Sequence, residues 1–253
     1  MHLLYFYFLC LMKFDYLWKG GPEFAQSEHF RFGTDSVLLG NFVNLTHART
    51  AVDLGCASGV ITLLMLSRNQ VLRVTGVEIL SEAAALAEEN IRHNGLQDRC
   101  DILCGDLREY RQLLRAGAYD VVVSNPPYFP VERGGISPDR DRAAAREEVT
   151  CTLDDICTAA GWLCRWDGRF ALVHRPDRLP EVFAAMQKAG IEPKRLRLVS
   201  HFASSVPSLV MVEGRRGGNP GLTVEPLLVL KNSDRSDSDE IERIYHRGRY
   251  ELQ

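Results

Sequence analysis

The sequence has no apolar run long enough to cross a bilayer. Its most hydrophobic stretch, MHLLYFYFLCLM at residues 1–12, falls well short of the roughly 20 residues a spanning helix needs. No Lys or Arg precedes its apolar part and no small-residue cleavage site follows, so it does not read as a signal peptide. We read residues 1–14 as a disordered extension or a mis-assigned start. An excess of positive charge is also missing: 30 Lys and Arg stand against 33 Asp and Glu, for a net charge of -3. Any nucleic-acid binding must then rest on a local patch and not on bulk charge. The seven cysteines form no CxxC pair and no Cys/His cluster at metal spacing. That excludes a zinc-ribbon reading and suits reduced thiols in a cytoplasmic protein with no metal. There is no internal repeat. What remains is 45% hydrophobic and 25% charged, an ordinary balance for a globular chain.

From residue 50 onward, strand and helix patterns alternate. TAVDLG reads as a short buried strand, VITLLMLSR as the helix after it, and VLRVTGVE as a β-branched strand ending on an acid. SEAAALAEENIRHNG predicts a helix with Ser81 as its cap and Gly95 as its stop. CDILCGD and YDVVVSN follow as strands, then a charged loop, then a helix over 152–166, TLDDICTAAGWLCRW. GRFALVHR is a further strand and LPEVFAAMQKAG its helix. KRLRLVSHF and SLVMVEGRR are joined by too short a connection for a parallel crossover, so they predict an antiparallel hairpin. The expected fold is α/β: a doubly wound, mostly parallel seven-stranded sheet with an antiparallel C-terminal hairpin. Residues 15–48 would cap a main unit over 15–232, and 233–253 would form a polar turn and a short helix.

In such a sheet, ligands bind beyond the carboxyl ends of the strands, so the residues ending each strand are the candidates. DLGCASGV, residues 53–60, supplies Gly55 and Gly59 for a tight turn, with Asp53 placed to receive an amino group. Glu78 ends the next strand, where a carboxylate can accept both hydroxyls of a ribose. Asp106, after Gly105, can accept from the exocyclic amine of an adenine, or can simply cap a helix starting at Leu107. The fourth strand end is SNPPYFP. Pro126 and Pro127 stop the strand, because neither can donate to a ladder. They hold two acceptors rigid, the Asn125 side-chain oxygen and the Pro126 carbonyl, and Tyr128 adds a flat face. Two fixed acceptors and a stacking surface suit a planar –NH2 group whose nitrogen lone pair turns outward.

Asp53-Leu54-Gly55-Cys56-Ala57-Ser58-Gly59, Glu78, Asp106 and Asn125-Pro126-Pro127-Tyr128 together resemble the class I S-adenosylmethionine-dependent methyltransferases that act on amino groups. Ala57 departs from the glycine most members carry. FRFGTDSVLLGNF at 30–42, preceded by Gln26, and AAAREE at 143–148 resemble the bacterial enzymes that methylate N6 of the adenine just 3′ of the anticodon in valine tRNA. The resemblance implies S-adenosylmethionine as cofactor and tRNA as partner. It implies that Gly33, Thr34 and Asp35 lie over the methionine end and that Asp53, Gly55, Cys56, Ala57 and Gly59 form the turn beneath it. Glu78, Asp106, Leu107 and Asn125 would complete the cofactor site, and Asn125, Pro126, Pro127 and Tyr128 the catalytic clamp. Arg133, Arg140, Arg142 and Arg146 are candidates for RNA contact, although acids are interleaved with them, and Lys194, Arg195, Arg197, Arg215 and Arg216 for a second phosphate surface. A cytoplasmic monomer or weak homodimer is expected. The same clamp would also serve a protein glutamine or another base amine, and a chain without turnover would be an RNA-binding assembly factor.

Overall fold

The computed structural model describes residues 13–27, 33–126, 128 and 151–246. A small antiparallel pair opens it, β1 (Phe14–Tyr16) and β2 (Glu23–Ala25), followed by helix α1 (Thr34–Phe42). Phe14, expected within the N-terminal extension, instead begins β1, and its ring stacks on His93 at 3.7 Å; residues 1–12 of that extension lie outside the described residues.

The main sheet is built from β3 (Thr50–Leu54), β4 (Arg73–Glu78), β5 (Cys100–Cys104), β6 (Tyr119–Ser124), β7 (Cys164–His174), β8 (Ile191–Ser200) and β9 (Leu209–Arg216). Its order is β5-β4-β3-β6-β7-β9-β8, parallel from β5 through β7, with β9 antiparallel to both its neighbours. The predicted hairpin is there. Two short strands, β10 (Thr223–Val224) and β11 (Leu228–Val229), add themselves to β8, so the sheet has nine strands where seven were expected.

Helices cover both faces. α2 (Val60–Arg68) and α3 (Ser81–His93) follow β3 and β4. A 3-10 turn (Leu107–Glu109) and α4 (Tyr110–Leu113) follow β5. α5 (Leu153–Leu163) precedes β7, α6 (Leu179–Lys188) follows it, and α7 (Asp239–Ile244) comes last. The strands feed two cores by strict alternation. Val121, Val123, Ala171 and Val173 pack with α1 and α2 residues such as Leu38, Leu39, Leu63 and Leu64. Val122, Phe170 and Leu172 pack on the other face with Ala160, Leu163, Val182 and Met186 of α5 and α6. Gly40 of α1 lets the helices close up: a Cβ there would lie 2.7 Å from Leu64 Cδ1. Leu63 is fully buried, and truncation to Ala would cost about 2–5 kcal/mol.

Two local expectations change. Ser81 does not cap α3. The N-cap is Leu80, without a side-chain cap, and its N–H instead donates to Glu78 Oε1 at 2.8 Å. Gly95 does end that helix, at φ +66°, with the Leu96 N–H reaching back to the Ile91 carbonyl. The helix read over 152–166 stops at Leu163, because Cys164 already pairs with Tyr119. The chain then bulges, with Asp167 at φ 66°, before Arg169 pairs with Val121. An apolar helix running straight into an apolar strand leaves no compositional boundary.

Sheet order reverses between β3 and β6. Their carboxyl ends therefore open a crevice, and both the glycine turn and Asn125 stand at it.

Candidate active site

The turn after β3 is bent by three residues with positive φ: Gly55 at 74°, Ala57 at 46° and Gly59 at 85°. The Gly55 and Cys56 N–H groups both donate to the Val77 carbonyl at 2.8 and 3.1 Å, pinning the turn to the end of β4. A Cβ on Gly55 would meet nothing within 4 Å, so the space above it is open. The Cys56 side chain is buried and faces Gly76 of β4, and that burial pushes its thiol far above the ordinary range. Cys56 therefore shapes the turn and presents no sulfur to the crevice.

Two carboxylates lie under the turn. Glu78 is buried; its Oε2 accepts the Ala57 N–H at 2.9 Å and its Oε1 the Leu80 N–H. Burial raises its pKa, and the hydrogen bonds from Leu80, Ala57 and Ile79 oppose that rise. Asp53 is fully buried, and burial pushes its carboxyl up to about 7, against the hydrogen bond from Thr62 and with the charge of Glu78 adding to the rise. Its Oδ2 accepts the Thr62 hydroxyl at 2.8 Å, while Oδ1 has no hydrogen-bond partner among the described residues.

Asp106 ends the next strand and is held by Arg108. It caps the 3-10 turn through the Arg108 N–H at 2.9 Å and receives the Arg108 guanidinium, whose hydrogen bonds lower its pKa. Half-buried Leu107 lies beside it. The capping role is thus present, and a ligand amine would have to share this carboxylate, whose lone pairs allow it.

The clamp end of β6 meets the start of α1. The Asn125 Nδ2 donates to Ser36 Oγ at 2.9 Å. The Tyr128 hydroxyl lies 2.5 Å from Asp35 Oδ2 and 2.9 Å from Asn125 Oδ1. A phenol has one hydrogen, and the shorter, charged contact takes it, so the branch to Asn125 is the weaker. Burial, with Asp35 beside it, pushes the phenol well above its ordinary range. The Tyr128 ring also stands edge-on to His174, at 5.5 Å between centroids. Ser124 Oγ anchors the strand end by donating to the Leu54 carbonyl at 2.8 Å. Gly33 N-caps α1 and is exposed with Thr34, while a side chain at position 33 would displace the Asp35 carboxylate, only 2.4 Å from that Cβ position.

The model of the Methyltransferase small domain family matches residues 27–134. A tRNA1(Val) (adenine(37)-N6)-methyltransferase of Dickeya chrysanthemi is 31% identical over 220 residues, covering 85% of this chain and 85% of that protein. A Porphyromonas gingivalis protein of the same name is 32% identical over 191 residues, covering 73% and 74%. The chain belongs to the tRNA1(Val) (adenine(37)-N6)-methyltransferase family. A solved structure of a predicted O-methyltransferase from Agrobacterium tumefaciens superposes with a TM-score of 0.69 over 86% of this chain and 98% of that one, at 18% identity, so it speaks to the fold alone.

Placed on this family fold, Gly33, Thr34, Asp35, Asp53, Gly55, Cys56, Ala57, Gly59, Glu78, Asp106, Leu107, Asn125, Pro126 and Tyr128 all fall at helix starts or strand ends on the crevice side. Pro127 and the loop arginines Arg133, Arg140, Arg142 and Arg146 lie outside the described residues. The second basic group does not form the phosphate surface expected of it. Lys194, Arg195 and Arg197 lie in the first part and middle of β8, and Arg215 and Arg216 at the end of antiparallel β9, away from the crevice. Arg195 pairs with Glu213 and Glu225, Arg197 with Glu240, and Arg215 with Asp167. Lys194 and Arg216 donate to the Asn219 and Cys164 carbonyls. Sequence spacing could not show that acids distant in the chain pair with Arg195, Arg197 and Arg215.

Three residues escaped the sequence reading: Ser36, Thr62 and Asn90. Asn90 is fully buried; it pairs with the Ala25 N–H and carbonyl at 2.8 and 3.1 Å and donates to the Ser58 carbonyl at 2.9 Å, tying β2 to the glycine turn. A signal was available, since Asn90 shares the helical stripe of Ala83, Leu86 and Ala87, where a polar residue needs a reason. Among the described residues, no helix is long and apolar enough to cross a membrane, and no three His, Cys, Asp or Glu side chains gather as metal ligands.

Proposed function

We propose that this protein transfers a methyl group from S-adenosylmethionine to N6 of an adenine in tRNA, the adenine beside the anticodon of valine tRNA, and works in the cytoplasm. The relatives' shared name supports the substrate, and the observation that carries the chemistry is the Asn125 carboxamide fixed between Ser36 and Tyr128 at the mouth of the crevice.

The residues fit the cofactor. Asp53 Oδ1 is a buried acceptor with no donor among the described residues, which an amino group, or a water held by one, would satisfy. The open space over Gly55 admits a ligand against the backbone, and the first N–H groups of α2 face that turn. Glu78 would hold the ribose with the lone pairs left by Ala57 and Leu80, and Asp106 with Leu107 the adenine of the cofactor. Gly33, Thr34 and Asp35 would close over the methionine end. When bound, S-adenosylmethionine supplies a methyl group already activated on sulfur.

The protein's own work is then positioning. The target adenine leaves its stack to enter the crevice, which is easiest in a loop where bases are already unstacked. Asn125 Oδ1 and the Pro126 carbonyl accept the two N6 hydrogens. That holds the amine flat and turns the nitrogen lone pair toward the methyl donor. Tyr128 must release Asn125 Oδ1 as the base arrives, and its ring then serves as a stacking face. Well-oriented reactants can gain roughly 7–11 kcal/mol over free collision, so no covalent nucleophile is required. The proton of the methylated amine passes to solvent.

The reading is tested by reacting purified protein with total tRNA from a strain lacking the gene, then digesting the RNA to nucleosides for mass spectrometry. N6-methyladenosine confined to valine tRNA is expected. Unmodified tRNA, with methylglutamine formed in a parallel reaction that contains a release factor instead of tRNA, would replace this reading with protein methylation.

A further inference from the structure

We propose that Ser36 is a positioning residue for Asn125, an inference that rests on the reading of Asn125 as the amine clamp. A carboxamide has nearly the same shape in its two orientations, yet one presents an acceptor and the other two donors. Only the orientation with Oδ1 outward can receive the hydrogens of an incoming amine. Adopting it turns Nδ2 toward α1, and a half-buried N–H there needs an acceptor. Ser36 Oγ is that acceptor, 2.9 Å away, and Ser36 itself is buried.

The hydroxyl's own versatility makes serine apt. With Tyr128 seated on Asp35, the phenol's single hydrogen is spent, and the Asn125 amide can turn to donate to the phenol oxygen while the Ser36 hydroxyl donates to Oδ1. When the base displaces Tyr128, the amide turns back and Ser36 accepts. Ser36 keeps the buried end of the amide paired in both states, so reorientation leaves no unsatisfied group. Its place is also fixed: it sits in the first turn of α1, and its N–H lies 2.8 Å from Asp35 Oδ1, the carboxylate that seats Tyr128. One turn of helix thus governs both partners of the Asn125 oxygen.

Without the hydroxyl, the outward orientation leaves a buried donor unpaired, a cost that falls on the complex with the amine and not on cofactor binding. The decisive comparison is Ser36→Thr against Ser36→Val, which match in shape and differ by the hydroxyl. Methyl transfer to tRNA is measured under single turnover, with cofactor Kd and Tm determined on the same samples and Asn125→Ala as control. Ser36→Val and Ser36→Ala are expected to lower the rate about tenfold to a hundredfold. Ser36→Thr is expected to restore it to within about threefold, with Kd and Tm alike across the Thr/Val pair. Equal rates for Thr and Val, or a loss that follows Tm, overturn the proposal for Ser36 alone. Undiminished turnover in Asn125→Ala would instead overturn the clamp on which it rests.

Discussion

Glu78 Oε2 receives the N–H of Ala57 at 2.9 Å, and Ala57 sits at φ 46°, where an L-residue is strained. The carboxylate proposed to hold the ribose is therefore also the brace of a turn whose middle residue lacks the glycine its backbone favours. Ala57→Gly removes roughly 1–2 kcal/mol of left-handed strain and adds about 0.5–1 kcal/mol of unfolded-state entropy. A gain of roughly 0–1.5 kcal/mol is expected. Ala57→Val, β-branched at positive φ, is expected to lose more than about 1 kcal/mol and to weaken cofactor binding. Urea denaturation of the three proteins checks both, and a valine variant as stable as wild type would contradict the strain.

Asp53 carries the pH dependence. Its folded pKa, raised by burial to about 7, lies above the unfolded value near 3.9. Between these values the folded protein holds a proton that the unfolded chain has lost, so stability falls as pH rises through this window and levels off above it. Asp53→Asn has no such proton. Without cofactor, the wild-type Tm is expected to drop relative to Asp53→Asn between about pH 4 and pH 7. Parallel curves would mean the carboxyl is ionised throughout.

Asn90 joins the N-terminal hairpin to the turn. Asn90→Leu fills the space but strands the Ala25 N–H and carbonyl and removes a donor from the Ser58 carbonyl. A loss of about 3 kcal/mol is expected, with weaker cofactor binding because the turn is released. Equilibrium unfolding and cofactor titration measure the two effects, and an unchanged cofactor Kd would show that the turn holds without this tie.

Much of this was legible in the chain. The β6 sequence VVV followed by two prolines announced a buried strand cut short, and the structure ends it at Ser124. Glycine turns, strand-ending acids and the antiparallel return of β9 follow from local chemistry. The rest depends on residues far apart in sequence. Ser36 and Asn125 are 89 positions apart, and no local pattern pairs a hydroxyl with a given amide. The seating of Tyr128 on Asp35 was likewise invisible, because an aromatic beside a proline turn reads as a stacking face whichever way its hydroxyl points. The start of α3 also differs from its local reading: Leu80 and not Ser81 is the N-cap, and Glu78 two residues upstream accepts the Leu80 N–H.

The clamp itself is tested most directly by Asn125→Ala, assayed for single-turnover methyl transfer to valine tRNA beside cofactor binding by calorimetry. Loss of at least about a hundredfold in rate is expected, with cofactor Kd within a few-fold of wild type. Methyl transfer at the wild-type rate would contradict the role of the Asn125 oxygen, and with it the reading of the β6 end as the seat of the reacting amine.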